Sequence, residues 1–188
     1  MKKSIVVILG FLGAVILSPQ TSAAAGLTIQ PIIGYERTQK LLPMAHTTDR
    51  LIYGVRATYG TSLLAAEAEY TRGTDSESFS ALNTSTTDTA DKLKVGATST
   101  FRLTTMLSLQ GRAGMQGKIT SHQETVGGVV GSAITSSPVY NPYAGATLTS
   151  YLGNTFSLSG GVTVVFGNFP DMSKNDYETT LGFNIHVN

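Results

Sequence analysis
Apolar and polar residues alternate along most of the chain with a period of two, the mark of strands with one apolar and one polar face. In 176–188, Tyr177, Thr179, Leu181, Phe183, Ile185 and Val187 share one parity, while Asp176, Glu178, Thr180, Gly182, Asn184 and His186 share the other. The 106–118 segment repeats this, with Leu107, Leu109, Gly111, Ala113 and Met115 set against Ser108, Gln110, Arg112, Gly114, Gln116 and Lys118. The same alternation runs through 27–36, 50–59, 63–71, 92–103 and 155–167. In 140–150 the pattern is ambiguous, and Pro142, Ala144, Ala146 and Leu148 are read as its apolar face. Eight strands are predicted.

The connections carry further information. Gly60-Thr61-Ser62, Thr104-Thr105 and Tyr151-Leu152-Gly153-Asn154 read as tight turns. The segments 37–49, 72–91, 119–139 and 168–175 are longer and rich in Gly, Pro, Asn, Asp and Ser, so they read as loops, with strand extension expected around Ser78-Phe79-Ser80. Long and short connections alternate. An up-and-down meander therefore places every long connection at one end and both termini at the other.

Charge assigns the two faces. Within the predicted strands every charged residue lies on the polar parity: Glu36, Arg50, Arg56, Glu67, Glu69, Lys92, Lys94, Arg102, Arg112, Lys118, Asp176 and Glu178. An Arg or Lys on the lipid face at mid-bilayer costs about 2–4 kcal/mol, and such a cost produces this segregation. On the apolar parity, Tyr35, Tyr53, Tyr59, Tyr70, Phe101, Phe156, Phe166 and Tyr177 fall near strand ends, as interfacial girdles do, with Phe183 the main exception. A soluble barrel would place its charges outside. The expected fold is all-β, an eight-stranded antiparallel up-and-down transmembrane β-barrel.

Composition agrees. Only 13% of the 188 residues are charged, about half the ~25% of an ordinary soluble domain, while the hydrophobic share is an unremarkable 41%. The absence of Cys excludes disulfides, thiolate metal sites and cysteine nucleophiles. At the N-terminus, Lys2 and Lys3, the apolar run Ile5 to Leu17 and Ala23-Ala24-Ala25 form the three regions of a secretory signal peptide. Residues 1–25 are assigned to it, with cleavage near Ala25, leaving 26–188 as the barrel domain. Loss of Lys2 and Lys3 turns the formal charge from +1 to −1.

With these features the chain resembles the small eight-stranded outer-membrane β-barrels of Gram-negative bacteria, the group of the OmpA transmembrane domain and the OmpX-like proteins. The stretch Asn141-Pro142-Tyr143-Ala144-Gly145-Ala146 is similar to a Pro-Tyr-small-Gly-small run common in that group. The C-terminal strand resembles its assembly signal at Thr180, Gly182, Ile185 and Val187, with aliphatics where aromatics are usual and an additional Asn188. The resemblance implies Sec-type export, insertion by the barrel-assembly machinery, and residence in the cell outer membrane among its lipid and lipopolysaccharide.

An eight-stranded barrel is only wide enough to be filled by side chains. A mid-barrel charge network of Arg56, Glu67, Glu69, Lys94 and Arg112 is expected, because a buried charge needs a partner. Three roles stand open. The first is structural or surface-interacting, with a monomer presenting a surface-ligand site through loops 37–49, 72–91, 119–139 and 168–175. The second is a narrow conduit for small or hydrophobic solutes. The third is a lipid-modifying enzyme, a role this architecture also hosts. For the third, the Ser121, His122 and Glu124 cluster has suitable residue types, but Ser121 and His122 are adjacent on an extended chain and point apart. His46 and His186 stand apart from it. No catalytic residue, cofactor, metal site or nucleic-acid site is expected.

Overall fold
A computed structural model describes residues 25–40, 46–79, 83–153, 155–167 and 175–187. Eight long strands make up the body: β1 (Gly26–Lys40), β2 (His46–Gly60), β3 (Ala65–Phe79), β4 (Thr84–Arg102), β5 (Leu107–Val126), β8 (Val139–Tyr151), β9 (Phe156–Val165) and β10 (Asp176–Val187). Two short strands, β6 (Val129–Val130) and β7 (Ile134–Thr135), lie between β5 and β8. Every long strand pairs antiparallel with its neighbours, and β1 pairs with both β2 and β10. The sheet therefore closes on itself and has no free edge in its body. The signal-peptide assignment over 1–25 falls, except for Ala25, outside the described residues.

Closure turns the alternation into an inside and an outside. Large apolar side chains such as Ile33, Leu93, Val95, Met115, Leu148 and Leu181 point outward and are exposed. Among the described residues the buried hydrophobic side chains are only Ile32, Ile52, Ala90, Tyr143 and Val165. The interior is instead built from Gln30, Glu36, Arg56, Glu67, Glu69, Lys92, Lys94, Arg112, Gln116 and a series of Thr and Ser. This is the reverse of a water-soluble core. A continuous apolar outer surface of this kind requires covering. The ambiguous 140–150 segment has Tyr143, Thr147 and Thr149 buried, while Pro142, Ala146 and Leu148 face out.

The strands run longer than the alternation indicated. Much of 37–49, 72–91 and 119–139, expected as loops, is strand: β3 continues to Phe79, β4 begins at Thr84, and β5 continues to Val126. The second connection thereby shrinks to four residues between β3 and β4. The physical reason is that these segments stand above the apolar belt. In 72–78, 84–91 and 120–125 both faces are polar, so the apolar parity is lost while the β-branched and hydroxyl residues that suit a pleat are kept. Cross-strand hydroxyl contacts such as Ser76 with Thr87, at 3.2 Å, replace the apolar pairs. Leu41-Leu42-Pro43-Met44, Ser80 and nearly all of 168–175 lie outside the described residues.

Above Leu51↔Thr74, β3 pairs with β4 alone. The upper parts of β3, β4 and β5 thus form a sheet that rises beyond the closed body. β6 and β7 fold back onto β5 through Val126↔Val129 and His122↔Ile134. This protruding sheet stands at the end that carries the long connections, opposite the tight turns after β2, β4 and β8.

Candidate functional site
The lumen is crossed by one connected set of ion pairs. Glu36 pairs with Arg50 and Lys92. Lys92 Nζ lies 2.9 Å from Glu178, which also holds Lys94. Lys94 Nζ then reaches Glu69 at 2.6 Å. Glu69 is shared by Arg56 at 2.6 Å and Arg112 at 2.7 Å, and Arg112 also meets Glu67 at 2.6 Å. At the long-connection end, Lys118 Nζ lies 3.0 Å from Asp176 and 3.9 Å from Glu36, joining both to the rest. Six cations and five anions are linked in this way. Such pairs are favourable only when the remaining donors and acceptors are also met. Tyr143 and Gln30 contribute here: the Tyr143 hydroxyl donates to Glu67 at 2.8 Å, and Arg56 donates to the Gln30 side-chain oxygen at 3.0 Å.

Register explains the assembly. Arg56 stands directly opposite Glu69, which stands opposite Lys94. Three successive strands thereby deliver plus, minus, plus to one level. Tyr143 fits among them because Gly96 and Gly114 face each other across β4 and β5. A Cβ on Gly96 would collide with the Tyr143 hydroxyl. The ring fills the space those two glycines leave, with the Arg112 guanidinium carbon 5.3 Å from its centroid.

The structure brings Arg56, Glu67, Glu69, Lys94 and Arg112 together in direct contact, and it adds Glu36, Arg50, Lys92, Glu178, Tyr143 and Gln30. Glu36, Arg50, Lys92 and Glu178 share the inward parity but were not placed at this level by strand spacing alone. Tyr143 belongs to the short Pro-Tyr motif, and its inward parity, opposite that of Pro142 and Ala144, is the sequence signal for its place in the lumen. Arg102, expected in the interior, is instead exposed at the short-turn mouth beside the Tyr151 ring, 5.7 Å from its centroid. It is the last residue of β4, beyond the closed section.

Below Arg56 and Gln30 the lumen opens into a polar cavity of about 190 Å³ lined by Thr28, Thr58, Thr98, Thr100, Ser108, Thr149 and Asn184, among others. Its lining carries hydroxyls, amides and the Arg56 side chain, and no acid among the described residues.

On the outer wall, Tyr35, Tyr53, Tyr70 and Tyr177 lie toward the long-connection end, and Tyr59, Phe101 and Phe156 lie beside the tight turns. Phe166 is half-buried just past β9. Phe183, the apparent mid-strand exception, stacks on Phe156 with centroids 5.3 Å apart, so it stands with the short-turn aromatics. Of the C-terminal residues, Thr180 is buried and Gly182 lies against the Gln30 side chain. Ile185 is opposite Ile29, and the backbone of Val187 is paired with Leu27.

Ser121 and His122 do not meet. The His122 imidazole Nδ1 lies 2.6 Å from Asp88 on β4, and the Ser121 hydroxyl lies 3.1 Å from that of Thr135. His46 and His186 have described backbones only. Among the described residues no group of three His, Asp or Glu is arranged to hold a metal ion.

No protein-family model matches the chain, and no curated protein matches it. Solved structures do. Neisserial surface protein A is similar with a TM-score of 0.61 at 13% identity, over 88% of this chain and 99% of the other. The N-terminal β-barrel domain of Pseudomonas aeruginosa OprF gives 0.58 at 13% identity, over 89% and 100%. The Yersinia pestis attachment invasion locus protein Ail, solved with the heparin analogue sucrose octasulfate, gives 0.57 at 13% identity, over 86% and 99%. The chain thus has the fold of the small outer-membrane β-barrels. The likeness is one of architecture, over nearly the whole length of each of these structures.

Proposed function
We propose that this chain is an outer-membrane barrel whose closed interior is structural and whose protruding sheet is its working surface. Export removes residues 1–25, and the assembly machinery reads the strand containing Thr180, Gly182, Ile185 and Val187. The apolar belt then sits in lipid and lipopolysaccharide, with the long connections outside the cell. The observation that carries this reading is the connected ion-pair set. It fills the barrel at mid-height with side chains that pair with one another, and it leaves recognition to the exterior.

The protruding sheet suits that task. Its two margins are β3 beyond Thr74 and the short β6 and β7, and neither pairs further among the described residues. Val126, Val129, Val130, Ile134 and Tyr140 expose apolar surface beside that second margin. An open margin next to apolar side chains can accept an added strand from an extended partner segment. Ser121, His122 and Glu124 belong to this sheet, and the His122–Asp88 contact makes them cross-strand partners rather than a nucleophile and its base.

A narrow conduit is the second reading. It is favoured by the polar cavity beneath Arg56 and by the buried Gln116 side chain, whose amide has no side-chain or backbone partner. Recording from the folded chain in a planar bilayer separates the two. The structural reading expects no conductance above background, and stepwise conductance would replace it with the conduit. For the surface role, cells displaying the chain are compared with cells whose chain has 128–137 replaced by a two-residue turn. Reduced attachment of the latter is expected, and equal attachment would remove the sheet as the working surface.

A further inference from the structure
The outward parity carries no charge through the apolar belt, and the place where charge returns is specific. On β1, Arg37 follows Tyr35 by two residues, and on β3, Arg72 follows Tyr70 by two. Both arginines face out, and each has an aspartate directly opposite on the next strand: Arg37 faces Asp49 and Arg72 faces Asp91. The same unit is built twice, each time just past a tyrosine.

The Arg37 unit is geometrically definite. Its Nε and Nη2 donate to the two Asp49 oxygens at 2.8 and 2.9 Å. That fork uses one edge of the guanidinium and fixes its plane. The Nη1 hydrogens and one on Nη2 remain on the opposite edge, the geometry that pairs with a tetrahedral oxyanion. The Arg37–Asp49 hydrogen bond also holds the Asp49 carboxyl below its usual range, which keeps the fork charged further into acid. Tyr35, Tyr177 and Thr179 complete a shallow groove around the pair. In the second unit the Tyr70 hydroxyl donates to Asp91 at 2.6 Å, and Arg72 Nε lies 3.7 Å from the same carboxylate.

We propose that the groove of Tyr35, Arg37, Asp49, Tyr177 and Thr179 binds the phosphate headgroup of a lipid in the surrounding leaflet, with the Arg72–Asp91 unit as a second, separate phosphate contact. The tyrosines at the upper rim of the apolar belt lie against the upper part of the acyl chains, and the free guanidinium edge takes the phosphate. This inference rests on the bilayer-spanning reading and is independent of what the protruding sheet binds.

The test uses the full folded chain in phosphatidylcholine vesicles, with spin-labelled phosphatidic acid or spin-labelled phosphatidylcholine as the probe. Electron paramagnetic resonance gives the motionally restricted fraction of each. Wild type is expected to prefer phosphatidic acid, with about fivefold of that preference contributed per arginine. Arg37→Gln with Arg72→Gln should bring the preference close to one. Arg37→Lys, which keeps charge and loses the fork, should retain part of it, and Arg102→Gln, at the opposite mouth, should leave it unchanged. Equal restriction of both lipids by wild type would overturn the proposal. So would an unchanged preference in the double variant, or an equal loss in Arg102→Gln. Abolition of the preference by inorganic phosphate alone would show a free-anion site and overturn the lipid assignment. If neither lipid is restricted at all, the bilayer-spanning reading itself fails.

Discussion

The same chemical pair occurs in two settings in this barrel. Inside, Arg112 meets Glu67 and Glu69 at 2.6 and 2.7 Å with side chains 1% and 0% exposed. Outside, Arg37 meets Asp49 at 2.8 and 2.9 Å with side chains 64% and 53% exposed. Geometry barely distinguishes them, but their surroundings do. The interior pair is closed off from bulk solvent, so each partner depends on the others, and loss of one leaves uncompensated charge in a closed space. The exterior pair is screened and replaceable, and it retains unused donors that can serve a ligand. Contact distance alone therefore says little about what an ion pair does.

The interior half of the comparison is broken most severely at Glu69, which Arg56, Lys94 and Arg112 share. Glu69→Ala is expected to destabilise the barrel by about 3–5 kcal/mol, the usual cost of removing one partner from a buried pair. Urea unfolding in detergent micelles, followed by heat-modifiable gel migration, measures it. Adding Lys94→Met to Glu69→Ala should recover part of the loss by lowering the excess of positive charge left in the lumen, whereas an additive loss would show that the two do not interact. Next in size is a charge placed where the outer wall excludes it. Val95→Arg, outward on β4 and within the apolar belt, should cost about 2–4 kcal/mol in a lipid bilayer and much less in a detergent that lets the side chain reach water. Equal cost in both would mean that Val95 does not face lipid.

A smaller effect tests how the lumen accommodates its aromatic ring. Gly114→Ala drives a Cβ into the Val95 carbonyl oxygen and the Gly96 Cα, and overpacking of this kind costs about 1–3 kcal/mol. Gly111→Ala, on the same strand with open space around it, is the control and should change little. Comparable losses in both would shift the cause from space to backbone freedom.

These sites differ in how well the sequence disclosed them. The parity of Glu67, Glu69, Lys94 and Arg112 was visible because one face of each strand had been cleared of charge, so the barrel class followed from pattern alone. The mid-barrel network expected from Arg56, Glu67, Glu69, Lys94 and Arg112 left out Glu36, Arg50, Lys92 and Glu178, because level depends on register and on the stagger of a closed sheet. Arg56 and Glu67 flank the 60–62 turn almost symmetrically and do lie 3.8 Å apart, but the register sets Arg56 directly opposite Glu69. Strand ends were lost for a related reason. Above the belt both faces are polar, so Thr84 to Asp91 alternates nothing and reads as loop. The outward Arg37 and Arg72 were hidden with those strand ends, because a residue assigned to a loop has no face.

The exterior pair should respond weakly where the interior responds strongly. Arg37→Gln is expected to leave the urea midpoint within experimental error while altering lipid association, the opposite of Glu69→Ala. The smallest effect concerns pH. Hydrogen bonding from Arg37 holds the Asp49 carboxyl below its unfolded value. A depressed carboxylate stabilises the folded state above its unfolded pKa, and that contribution fades as pH falls through the folded pKa. Acidification should therefore release the Arg37 fork at a lower pH than an unpaired aspartate would titrate. A carboxyl-carbon NMR titration of Asp49 reads this directly. In Arg37→Gln the midpoint should move up toward the ordinary aspartate range. A midpoint identical in wild type and variant would mean that the fork is not formed in solution, and the exterior pair would then lose the fixed guanidinium plane on which its ligand role depends.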